Sequence, residues 1–204
     1  PHAHRAQSGS AIRSTFLASD TVGLHLHPQR SLVEACGLTY RASPAVSAAA
    51  SSCQGVECGH AVSLELAYTQ AELHTLVACA SDQLQQIGFN RPRHFRAGAW
   101  QLGPKLQSAL VANGFVWDSS RIDAQLLLSR WPADSALVHL VQQLHPGAQA
   151  LEQPFALAPQ LMEYPNNAGL ADYTTTQQLI QLFRRLLAQK QTVMVLGFHQ
   201  ERSE

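Results

Sequence analysis

Residues 94–120 set a strand, a helix and a second strand in immediate succession, and no other stretch constrains the fold as tightly. His94-Phe95-Arg96 is a short apolar run holding one arginine, and it meets a glycine turn at Gly98. Gly103 then precedes Pro104 at the first helical position, where a missing N–H costs nothing. Leu102, Leu106, Leu110 and Val111 recur at helical spacing, and Gly114 ends the run. Phe115-Val116-Trp117 reads as the next strand, closing in Asp118-Ser119-Ser120. Strand, helix, strand in this order predicts an α/β fold. In such folds the C-terminal strand ends reach substrate, so Arg96 and Asp118 become candidates.

The flanking segments extend this pattern. Val22-Gly23-Leu24-His25-Leu26-His27 alternates as a strand does, which puts His25 and His27 on one face, and Pro28 ends it. Two imidazoles at a strand's end are placed to hold a metal; ordinary surface or hydrogen-bonded histidines are the alternative. Thr69-Gln70-Ala71-Glu72 is a capping box leading a helix whose apolar face is Leu73, Leu76, Val77, Ala80, Leu84 and Ile87, up to Gly88. Cys79 beside that face reads as a core thiol. Ala136 to Val141 reads as a strand, with His139 structural, and residues 161–167 as an irregular segment leading to Asp172-Tyr173-Thr174. These polar and aromatic residues suit a sugar subsite or a solvated loop.

A helix from about Thr176 to Gln189 is expected to bury Leu179, Ile180, Phe183, Leu186 and Leu187. Val193 to His199 reads as an apolar strand buried on both faces. Residues 31–63, rich in small residues, read as a long loop from which His60 could approach a site.

The chain has 204 residues, enough for a single domain spanning 1–204. Its 14 basic and 14 acidic residues cancel, which argues against a nucleic-acid partner, since a phosphate backbone needs a basic face. No apolar run is long enough for a transmembrane segment. Cys36, Cys53, Cys58 and Cys79 fit one or two disulfides in an oxidising, periplasmic or secreted setting, and equally four buried thiols. No Gly-x-Ser-x-Gly elbow and no glycine-rich phosphate loop is present, so serine-hydrolase and nucleotide readings are disfavoured.

Phe95-Arg96-Ala97-Gly98, a helix, then Gly114-Phe115 and Asp118-Ser119-Ser120 resembles the central part of the metal-dependent polysaccharide deacetylases, the NodB-homology or carbohydrate esterase family 4 fold. Gly23-Leu24-His25-Leu26-His27-Pro28 is similar to a variant of that family's histidine motif, and Val193 to His199 to its closing strand. The resemblance implies a distorted (β/α) barrel, complete or incomplete, and a divalent metal, zinc in first place, held by His25 and His27. It also implies His199 as the catalytic acid and Arg96 as the residue that orients the catalytic base. The implied partner is an acetylated polysaccharide and the implied reaction hydrolysis of its acetyl groups, N- or O-linked. The family's paired aspartates have no match: Asp20 lies directly before the His25 strand, without a partner. An inactive carbohydrate-binding relative and an unrelated α/β protein are the alternative readings.

Overall fold

A computed structural model describes residues 9–46 and 59–199. Its strands are β1 Leu24–Leu26, β2 His94–Ala97, β3 Trp117–Asp118, β4 Phe155–Ala158 and β5 Leu161–Glu163. They form one sheet in the order β1-β2-β3-β5-β4. Each neighbouring pair from β1 to β5 is parallel, and β4 runs antiparallel to β5. The helices are α1 Arg30–Ala35, α2 Leu64–Ala67, α3 Gln70–Gln86, α4 Pro104–Ala112, α5 Ala136–Leu144 and α6 Thr176–Ala188. This is a mixed α/β fold with a central sheet, and among the described residues its strands form an open row.

The main core lies between the sheet and α3 with α4. Thr69 caps α3 by accepting from the Glu72 N–H, and the Glu72 carboxylate returns the favour to Thr69 N at 2.8 Å, the expected capping box. Leu73, Leu76 and Val77 are fully buried and join Phe95, Leu106, Leu110 and Phe115 in one cluster. Each such side chain contributes roughly 2 kcal/mol of apolar burial. Phe95 and Phe115 meet edge to face at 5.7 Å. α4 starts at Pro104, as expected, with help the sequence does not announce: the buried Glu65 carboxylate accepts from Lys105 N at 3.0 Å and Leu106 N at 3.1 Å. A Cβ at Gly103 would collide with that carboxyl group.

Several expectations are corrected. The Ala136 to Val141 run is helical: Ser135 caps α5, and Leu137, Val138, Leu140 and Val141 face the core while His139 is exposed. Short apolar runs fit either period, and here the cap decides. Leu161 to Glu163 is a strand, paired with β3 on one side and β4 on the other. α6 buries Leu182 and Leu186, whereas Ile180, Phe183 and Leu187 are 47%, 51% and 58% exposed. The long 31–63 loop contains α1 and an isolated bridge between Ala45 and Val62. Cys79 is a disulfide partner of Cys36, not a thiol. Cys53 and Cys58 lie outside the described residues.

The last apolar run, Val193 to His199, joins no strand of the sheet; its contact of strand type is a bridge from Gly197 to Leu170. Side chains take the backbone groups of Val193 and the N–H of Val195, while the Val195 carbonyl and both groups of Gly197 bond the main chain of Ala168, Gly169 and Ala171. Asn167 Oδ1 accepts from Val195 N at 2.8 Å, and Gln153 Oε1 from Val193 N at 3.1 Å. Asn167 Nδ2 and Gln153 Nε2 both donate to the Val193 carbonyl. Asn166 and Asn167 are fully buried.

Candidate functional site

Strand alternation builds the site. On β1, Leu24 and Leu26 are buried in the core, which turns His25 to the opposite face. On β2, Phe95 and Ala97 are buried, and His94 and Arg96 share the face of His25. The register then sets Trp117 beside His94, their rings 5.3 Å apart. These residues line a cleft of about 570 Å³ that also takes in His27, His60, Trp100, Trp131, Tyr173 and His199. The sequence-predicted His25, His27, Arg96 and His199 thus meet in one place, although the first and last are far apart in the chain.

The His25 and His27 rings approach edge to face at 4.9 Å. The Arg96 carbonyl holds His25 Nδ1 at 3.0 Å and leaves Nε2 for the cleft. His27 rests against Gly98, where a Cβ would lie 2.5 Å from its Nδ1. The turn that follows is strained: Ala99 and Trp100, at φ 51° and 55°, both adopt the left-handed conformation. Burial, and then the neighbouring His25, His60 and His199, push His27 down to about 3, so its ring is neutral at physiological pH. His25 is shifted down as well, by desolvation first, against the Arg96 carbonyl that favours its proton.

Two neutral imidazoles are good donors for a zinc-like ion. A metal centre also needs further ligands, and among the described residues no group of three or more His, Cys, Asp or Glu side chains is disposed to hold one. The donors among the described residues therefore do not complete a metal site. Asp20 does not supply the missing carboxylate, since it accepts from Leu17 N in an exposed turn.

His199 is anchored differently. Its Nδ1 lies 3.0 Å from Asp172 Oδ2, and the Asp172 side chain is only 8% exposed while that of His199 is 41% exposed. A carboxylate at Nδ1 fixes the tautomer and leaves Nε2 to face the cleft. Asp172 was legible as a polar residue that suits a sugar subsite, but its role as a tether needed the folded chain.

Asp118 does not reach the cleft. Its register partners are Phe95 and Glu163, so it points away from the face that Trp117 shows, and it is fully buried. It accepts from Ser120 N and Ser120 Oγ at 2.8 and 2.7 Å. Burial, then the neighbouring Asp118, push Glu163 up to about 10; burial raises Asp118 too, against these hydrogen bonds. The serine donors keep the charge on Asp118 and the proton on Glu163. Arg96 donates from Nε to the Ser119 carbonyl at 3.0 Å and from Nη2 to Ser119 Oγ at 2.7 Å. Desolvation lowers its pKa, with Asp118 and Glu163 acting in the other direction.

The chain matches no family model and no curated protein. Among solved structures it is similar to the crystal structure of a Mycobacterium smegmatis protein assigned as a polysaccharide deacetylase, at 14% identity and a TM-score of 0.42. The superposition covers 69% of this chain and 46% of that one, so the chain spans less than half the length of the structure it resembles. This is a distant and partial structural likeness. Among the described residues no helix is long and apolar enough to cross a membrane.

Proposed function

We propose that the cleft binds acetylated polysaccharide and removes acetyl groups by hydrolysis. The observation that carries this reading is the tethered His199, set by Asp172 at a cleft walled by Trp117, Trp131 and Tyr173. Aromatic rings suit the flat apolar faces of sugars and give an otherwise polar ligand something to pack on. His199 Nε2 takes a proton from the attacking water as the oxygen bonds to the acetyl carbon. It returns that proton to the departing sugar nitrogen or oxygen as the acyl bond breaks, releasing acetate. Asp172 stabilises the imidazolium that exists between the two steps. His25 and His27 offer two of the donors that a divalent metal such as zinc would need. A periplasmic or secreted location goes with a polysaccharide substrate and with the Cys36–Cys79 disulfide.

The test is acetate release from N-acetylated chito-oligosaccharides and from O-acetylated xylan. His199→Ala should lower the rate by about 100-fold or more, and Asp172→Asn should lower kcat while leaving KM nearly unchanged. A folded wild-type protein that releases no acetate from either substrate would overturn the reading. The alternative, a carbohydrate-binding protein without hydrolysis, has its own support: no Asp or Glu lines the cleft among the described residues. Binding of these glycans with no acetate release would select it.

A further inference from the structure

The cleft contains histidines and an arginine where a hydrolytic or metal centre would be expected to hold carboxylates. His25, His27, His60, His94 and His199 line it together with Arg96, and no Asp or Glu does so among the described residues. Arg96 is half-buried, and it has no carboxylate within 4.0 Å among the described residues. Among the described residues its hydrogen bonds run to Ser119, through Nε and Nη2, and none is made by Nη1. Asp118 and Glu163 offset the guanidinium from the other face of the sheet without meeting it, and their mutual pairing leaves them one charge to do so. A guanidinium taken partly out of water is costly until an anion meets it, and its planar fork matches a carboxylate or phosphate.

Resting on the proposal that the cleft takes a glycan, we infer that the ligand is an acidic one, with the carboxylate of a uronic acid residue docking on Arg96. The Nε2 atoms of His25 and His199, whose Nδ1 hydrogens go to the Arg96 carbonyl and to Asp172, accept from sugar hydroxyls, and the aromatic walls take the ring faces. Position supports this assignment: Arg96 sits on β2 level with His25 of β1, on the face that also carries His94 with Trp117 of β3 beside it, so an anion on it brings a pyranose ring against the wall. The absence of carboxylates from the lining removes the repulsion that would otherwise reject such a ligand.

All three tryptophans of the chain, Trp100, Trp117 and Trp131, line the cleft, so intrinsic fluorescence reports its occupancy. The experiment titrates the full chain with a galacturonic acid oligomer, with the carboxyl-reduced form of the same oligomer, and with inorganic phosphate. The acidic oligomer should bind at least about tenfold more tightly than its reduced form, and added salt should narrow that gap. Arg96→Gln should abolish the preference; because that variant also loses the Ser119 contacts, circular dichroism checks its fold, and the wild-type comparison stands without it. Equal binding of the acidic and reduced oligomers would overturn the inference, as would no binding of either. Phosphate binding as tight as the oligomer's would overturn the assignment to a sugar acid. Acetate release from neutral glycans alongside equal binding would sink this inference and leave the proposed hydrolysis standing.

Discussion

Asp118 and Glu163 face one another across adjacent strands, and the shared proton between them ties stability to pH. Glu163 is moved from its ordinary 4.5 to about 10. Between these values the folded chain holds a proton that the unfolded chain has lost, so stability falls as pH rises through the window. His27 and His145, moved down to about 3 and about 4, act in the opposite sense, but their contribution is complete once pH exceeds the ordinary 6.5. Above about pH 7 the carboxyl pair therefore dominates. Glu163→Gln keeps the shape and the donor of the neutral acid and removes the titration. Its melting temperature should match the wild type near pH 4 and exceed it by a margin that widens toward pH 9; parallel melting curves for the two proteins across that range would contradict the pairing.

At the scale of elements, the C-terminal segment is held by asparagine and glutamine side chains where a strand ladder was expected. Asn167 bonds Val193 O and Val195 N and also reaches the Glu152 carbonyl. Asn167→Ala removes the Asn167 partner from Val195 N and from the Glu152 carbonyl, while Val193 O keeps Gln153 Nε2, at a cost of about 1–3 kcal/mol. It should also free the segment bearing His199, so hydrogen exchange at residues 193–197 should speed up more than in α3. The same segment marks where sequence reading ends. α3 was legible because its cap and apolar period agree, and so was the strand-helix-strand unit around Pro104. The clustering of His25, His27, Arg96 and His199 was legible as well, through the resemblance. α5 was not, because six apolar-rich residues fit both periods, and neither was β5, whose pairing depends on strands distant in the chain. The buried asparagines carry no local signal at all: a side chain that substitutes for a ladder looks like a turn residue until the partner segment arrives.

Across the whole molecule, the Cys36–Cys79 disulfide joins the end of α1 to the middle of α3 and spans a sequence separation of 43 residues. A loop of that length makes the cross-link worth about 2–4 kcal/mol, chiefly by restricting the unfolded chain. Cys36→Ala with Cys79→Ala should lower the urea midpoint accordingly, and an unchanged midpoint would show that the bond contributes little. The core that this link reinforces lies under α3 and α4 and takes in Leu24 and Leu26 from the strand that forms the cleft's outer wall. That wall is β1, which has one strand neighbour among the described residues and is held to it over three register pairs. Leu24 and Leu26 are 6% and 1% exposed, so the strand does not come away without opening the core. The cleft therefore keeps its shape as long as that core does: on warming, the histidines carried by β1 should lose their places together with the core and not ahead of it.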